Sequence, residues 1–237
     1  NNSTLNLMNC NLSNNADEGL FHRVSSTITV TNSIIWGNGG DAIKAREVGG
    51  TVSVTYSDIE GGYTGTGNIN SDPFFVNASS GDYRLQNYSP AIGAGTTSGA
   101  PSTDIYGKTR PTPSSTSPDM GAYENSLGSP AIVVMNVTST TDNGTYKIGD
   151  VISITITFSE AMTVTGTPQL TLETGSADAA VDYSSGTGGT TLTFNYTVAS
   201  GHTSSDLDYK STTALALNSG TIKNSAGTAA TLTLPTP

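Results

Sequence analysis

The chain is poor in the residues on which most protein chemistry depends. One cysteine in 237 residues, Cys10, excludes an internal disulfide framework. Its setting, Leu7-Met8-Asn9-Cys10-Asn11-Leu12, predicts a small buried side chain. Two histidines, His22 and His202, have no second histidine or cysteine at ligand spacing, so zinc binding and triad chemistry lack their residues, and both are expected at the surface. Charged residues make up only 12% of the chain, and 9 Lys plus Arg against 19 Asp plus Glu leave a net charge of -10, which argues against nucleic acid as a partner. No run approaches the roughly 18 apolar residues of a membrane span. Asn1-Asn2-Ser3-Thr4 lacks the charged-then-apolar pattern of a signal peptide, so the sequence reads as a mature product or a fragment. The glycine-rich stretches have no following lysine and no strand-GxGxxG-helix context, which removes the usual phosphate-binding motifs.

What the chain does have is Ser, Thr, Asn and Gly in a repeat. Thr4-Leu5-Asn6-Leu7, Thr27-Ile28-Thr29-Val30 and Thr51-Val52-Ser53-Val54 align, with spacings of 28 - 5 = 23 and 52 - 28 = 24. Seven residues after each leading apolar position stand Leu12, Ile35 and Ile59, with Cys10, Ser33 and Ser57 in between. Alternation at period two predicts short strands, and a repeat of this length predicts coils stacked along an axis. Trp36-Gly37-Asn38-Gly39-Gly40 and Glu60-Gly61-Gly62 supply the corners. Leucine-rich repeats have a similar period, but their leucine and asparagine spacing is missing, so a parallel β-helix of about three rungs is preferred.

Beyond the repeat the chain reads Asp72-Pro73-Phe74-Phe75-Val76-Asn77, Gly81-Asp82-Tyr83-Arg84-Leu85-Gln86, Ser89-Pro90-Ala91-Ile92-Gly93-Ala94-Gly95, Asp104 to Pro111, and Asp119-Met120-Gly121-Ala122-Tyr123-Glu124. This string resembles the C-terminal end of bacterial right-handed β-helix surface proteins of the choice-of-anchor Q type, over roughly residues 1–124. Gly93 stands where that pattern commonly has aspartate. A solenoid must cover its last coil, and Phe74, Phe75, Tyr83, Leu85 and Ile92 are expected to be the cover. Arg84, Arg110, Asp104 and Asp119 are expected to form buried salt bridges that hold irregular loops rather than an active site.

Residues 125–130 read as a linker, and from 131 to 237 the pattern changes to longer alternating strands. Strands are expected at Ile132–Val137, Val151–Phe158, Gln169–Leu172, Ala180–Tyr183 and Thr190–Val198, with shorter ones at Ala214–Leu217, Gly220–Lys223 and Ala230–Leu234. Seven or eight strands separated by glycine-containing turns suit a two-sheet sandwich. The segments Gly144 to Asp150, Phe158-Ser159-Glu160-Ala161, Ser205 to Tyr209 and Gly220 to Asn224 resemble bacterial immunoglobulin-like repeats of large adhesins, so the whole is expected to be all-β: a short right-handed β-helix with its cap, then an immunoglobulin-like β-sandwich.

Those resemblances imply an extracellular, secreted or cell-surface protein with a structural and adhesive role and no catalysis, whose partners are other copies of itself, neighbouring domains of a larger surface protein, or glycans. Leu5, Leu7 and Leu12 are the expected assembly edge, across which copies could stack head to tail into a filament. Asp142, Asp150, Glu160, Asp206 and Asp208 are either turn initiators or ligands for calcium. Asp206 and Asp208 would face one way if they shared a strand. The rival class is a carbohydrate-active, polysaccharide lyase-like or carbohydrate-binding β-helix. Its acids and bases would come from Asp17, Glu18, Arg23, Asp41, Lys44, Arg46, Glu47, Asp58 and Glu60, read here as solvated surface, and its sugar platforms from Trp36, Tyr56 and Tyr63, read here as packing aromatics.

Overall fold

The computed structural model describes residues 3–22, 25–45 and 49–237. The protein is all-β, with curled sheets and, among the described residues, a three-residue 3-10 turn at Ala78–Ser80. It divides into two compact units, Asn1–Ala131 and Ile132–Pro237.

The first unit opens with β1 (Ser3–Met8), β2 (Asn11–Ser13), β3 (Leu20–His22), β4 (Ser26–Thr31), β5 (Ile34–Trp36), β6 (Ile43–Ala45), β7 (Thr51–Thr55) and β8 (Asp58–Ile59). Each strand pairs in parallel with its counterpart one repeat later, giving sheets β1-β4-β7, β2-β5-β8 and β3-β6. Register follows the sequence repeat, with Leu5 opposite Ile28 and Ile28 opposite Val52. The inward residues Ile28, Val30, Ile35, Val54 and Ile59 form one buried cluster, against which Leu7 and Leu12 pack half-buried. Alternating apolar and polar residues of high β-propensity place one set inside and leave Thr and Asn outside.

Side chains at the corners complete the ladder. The Ser33 hydroxyl accepts from the Cys10 N–H at 3.1 Å and donates to the Thr31 carbonyl at 2.9 Å. Ser57 does the same one repeat on, accepting from Ser33 N–H at 3.0 Å and donating to Thr55. Cys10 occupies the same place in the first repeat, its Sγ donating to the Met8 carbonyl at 3.3 Å, and it is half-buried rather than buried. At the next corner Asn38, Glu60 and Asn70 accept from the backbone N–H of Asn15, Gly37 and Gly61 respectively. Backbone donors are thus met by side chains where the ladder turns.

The last repeat is closed by a segment other than the one expected. Residues 62–70 fold back over it: Tyr56 N–H donates to Thr66, Ile59 N–H to Ile69, and Ile69 N–H to Ser57, while the Asn68 amide bonds Val54. The nearest stretch of chain therefore satisfies the exposed backbone. Phe75, Leu85 and Ile92 instead pack on the opposite side of sheet β2-β5-β8, around Ile34, which points away from the cluster that holds its neighbour Ile35. Here β9 (Phe75–Asn77) and β10 (Asp82–Leu85) form an antiparallel pair, and Ala91, Ile92 and Met120 complete the second cluster. Residues 125–131 stay with this unit: the Asn125 amide bonds the Leu85 carbonyl and Ala131 N–H donates to Asn87.

The second unit contains β11 (Val134–Ser139), β12 (Val151–Thr165), β13 (Gln169–Glu173), β14 (Ala179–Ser185), β15 (Gly189–Thr197), β16 (Asp208–Tyr209), β17 (Leu215–Ala216) and β18 (Thr221–Lys223). All pairings are antiparallel, along β11-β12-β15-β14-β13-β16, with β17 on β13 and β18 on β12. The expected Val151–Phe158 strand runs on to Thr165, because its register shifts between Thr157 and Met162 and its second half turns to pair with β18. Ile156, Phe158, Met162, Leu170, Leu192 and Phe194 lie at the centre of the core. Residues 230–234 do not form a strand, although Thr231 N–H bonds Ile132 and Leu234 N–H bonds Thr212.

Candidate functional site

The densest group of ionisable side chains lies where the segment after the repeat meets sheet β2-β5-β8. Arg110 and Glu124 face each other at 3.4 Å with side chains 1% and 0% exposed. Arg110 Nη1 donates to the carbonyls of Asp119 and Gly121, the same two carbonyls that receive the Asn9 amide from the first repeat. Glu124 accepts from the backbone N–H of Thr112 and Asp119. Asp119, fully buried, accepts from the N–H of Gly93 and Asn125. Burial, with the Glu124 charge beside it, pushes Asp119 up to about 7 against the pull of those N–H groups and Arg110. Burial also lowers the Arg110 guanidinium from its ordinary value, opposed by the neighbouring carboxylates.

A column of asparagines ties this group to the coils. Asn9 and Asn32 stand at matching corners with positive φ, which asparagine tolerates better than most residues. The Asn32 amide donates to Asn9 Oδ1 and to Thr96, and accepts from Thr96 N–H. Asn11 accepts from Ala122 N–H and donates to Tyr83. Gly121, at φ 88°, passes so close that a Cβ there would sit 2.4 Å from Asn11 Oδ1. The third repeat has Tyr56 at the asparagine corner, its ring against Gly67.

Of the four residues expected as buried ion pairs, Arg110 and Asp119 are brought together. Asp104 lies beside them, accepting backbone N–H bonds from Tyr106, Lys108 and Glu124. Arg84 is elsewhere, paired with Asp82 at the surface. Glu124 and the asparagine column are the members that sequence reasoning missed. The column had a signal, since Asn9 and Asn32 share the repeat spacing of 32 - 9 = 23.

Two further expectations need correction. Asp58 is not solvated: it is fully buried, with Oδ1 accepting from Ser71 N–H and Oδ2 lacking a hydrogen-bond partner. Burial pushes it up to about 7. His22 is buried in β3, while His202 is half-buried and bonds the Tyr196 hydroxyl through Nδ1 at 2.8 Å. Glu18 and Lys44 form an exposed pair at 2.6 Å; Arg23, Arg46 and Glu47 lie outside the described residues. Trp36 and Tyr63 pack against the two clusters of the first unit. Along the first repeat Leu5 is 41% exposed, while Leu7 and Leu12 are half-buried.

Of the five residues considered for calcium, three use their carboxylates in separate local bonds. Asp150 accepts from Lys147 N–H, Glu160 from the Asn224 amide and Asp208 from Tyr209 N–H, and the Asp142 carbonyl receives the Tyr146 hydroxyl. Asp206 lies at a bend outside β16, so it does not share a strand face with Asp208. Among the described residues no group of three or more His, Cys, Asp or Glu is placed to hold a metal ion. Among them, too, no helix is long and apolar enough to cross a membrane. No family model matches the chain, and neither a curated protein nor a solved structure matches it significantly.

Proposed function

We propose that this chain is a non-catalytic structural and adhesive segment of a bacterial secreted or cell-surface protein. In this reading the first unit is the end of a short right-handed parallel β-helix with a cap of the choice-of-anchor Q type. The second is an immunoglobulin-like sandwich that extends or connects a larger assembly. The observation that carries the reading is the use made of the ionisable groups: Arg110, Glu124 and Asp119 are closed off from solvent, and their hydrogen bonds go to backbone groups between Gly93 and Asn125. Catalytic acids and bases must reach a substrate, whereas buried, backbone-bound ones hold loops in place.

The assembly edge is β1, which pairs on one side with β4 and carries the exposed Leu5. A strand with apolar neighbours and the same repeat pattern on its partners favours further parallel pairing. Another copy of the chain, stacked head to tail, would continue the 23- to 24-residue period. Sedimentation of the full chain over a hundredfold concentration range tests this. Growing oligomers that Leu5→Lys abolishes are expected; a folded, strictly monomeric chain at every concentration contradicts the stacking.

A further inference from the structure

We propose that the groove of the first unit between Tyr106, Tyr123 and Arg84 is a binding site for an uncharged oligosaccharide. The proposal is independent of how copies of the chain assemble.

The aromatics nominated from sequence as sugar platforms, Trp36, Tyr56 and Tyr63, are half-buried, but Tyr106 is 74% exposed and is one of the most open large side chains among the described residues. Its ring meets Tyr123 edge to face, with centroids 5.3 Å apart. Val76, 45% exposed, lines the same groove of about 330 Å³, at the small end of the range for ligand sites of ~300–1,000 Å³. Tyr106 and Val76 thus leave an aromatic face and an aliphatic group open beside a concavity, where a ligand can cover them.

The platform is held in place before any ligand arrives. Asp104 Oδ1 accepts from the Tyr106 and Lys108 N–H groups at 2.8 Å each, and Oδ2 accepts from Glu124 N–H at 3.1 Å, so one carboxylate fixes both the Tyr106 loop and the chain just after Tyr123. Burial opposes its charge, yet those three N–H groups hold Asp104 below the ordinary carboxylate value. Arg84 is clamped by Asp82 through two bonds, Nε at 2.9 Å and Nη2 at 2.6 Å, which fix the plane of the guanidinium at the groove wall. Prior ordering of this kind removes much of the entropic cost of binding.

The chemistry of the lining selects the ligand class. A pyranose ring offers a face of C–H groups to an aromatic ring and a rim of neighbouring hydroxyls to planar polar groups. Here the aromatic face is Tyr106, and the polar groups are the Arg84 guanidinium and the Ser126 hydroxyl. The ionisable groups that line the groove, Arg84, Lys108, Asp104 and Glu124, carry two formal charges of each sign; Arg84 is also paired with Asp82, and the Lys108 ammonium donates to the Glu124 carbonyl. With these charges balanced, and a net charge of -10 on the whole chain, an anionic glycan gains nothing there.

Titration calorimetry of the full chain with cellotetraose, xylotetraose, mannotetraose and chitotetraose, with tetragalacturonate as the acidic comparison, tests the site. Saturable binding of at least one neutral probe is expected, weakened about tenfold or more by Tyr106→Ala and kept within about threefold by Tyr106→Phe, which retains the ring face. Because Tyr106 is so exposed, Tyr106→Ala should keep the urea midpoint of the parent, and that measurement separates lost binding from lost fold. No saturable binding with any neutral probe, equal binding by Tyr106→Ala, or tighter binding of tetragalacturonate would overturn the proposal.

Discussion

At the scale of single residues, the first unit depends on polar side chains buried at defined places. Burial raises Asp58 and Asp119 to about 7, in each case mainly by desolvation. An unfolded aspartate titrates near 3.9. The folded state therefore holds protons that the unfolded state releases between about pH 4 and 7. Stability contributed by these groups is fully present below about pH 4 and is lost as pH rises through 7. Asp58→Asn removes one of the two titrations, so the fall in urea midpoint between pH 4.5 and pH 7.5 should shrink relative to the parent. An unchanged pH slope would show that Asp58 titrates normally in the folded chain. Arg110 belongs to the other kind of buried group, one whose loss would strand Glu124 and Asp119 without their cation.

At the scale of elements, the strands were legible and the connections were not. The alignment of Leu5, Ile28 and Val52 foretold the parallel register, because a period-two pattern repeated at 23 and 24 residues leaves a strand few other ways to bury its apolar face. In the second unit the alternation of Ile152, Ile154, Ile156 and Phe158 marked β12, but its bend after Thr157 was hidden, since a register shift depends on which partner each half finds. The path of the segment after Asp72 was hidden for a related reason. Its apolar residues declare that they are buried, and only the partners Ile34, Asn9 and Asn32 decide which face they cover. The hydroxyl ladder gives this scale its own test. Ser33→Ala leaves the Cys10 N–H and the Thr31 carbonyl without the group that bridges them and should cost about 1–3 kcal/mol in urea unfolding. Cys10→Ser, which places the ladder's usual group at the same corner, should stay within about 1 kcal/mol of the parent. Equal losses from both variants would mean that the ladder does not stabilise the corner.

At the scale of the whole molecule, an all-β chain was foreseen from composition and spacing, while the candidate site was only partly so. Arg110 and Asp119 were named as a pair of roles, but Glu124 was seen as part of a motif and not as their partner, because 124 - 110 = 14 residues of irregular chain carry no periodicity from which contact can be read. The exposed Tyr106 was equally silent in the sequence, since a tyrosine among Asp, Gly and Lys reads the same whether its ring is covered or open. The segment 72–131 is an integral clamp along the repeats, joined to them by Asn9, Asn11 and Asn32. Native-state hydrogen exchange measures that claim directly. The amides of Met120, Gly121 and Asn125 should exchange as slowly as those of Ile34 and Asp58 in the coils, as members of one cooperative unit. Exchange at the clamp faster by orders of magnitude, with the coil amides still protected, would contradict it.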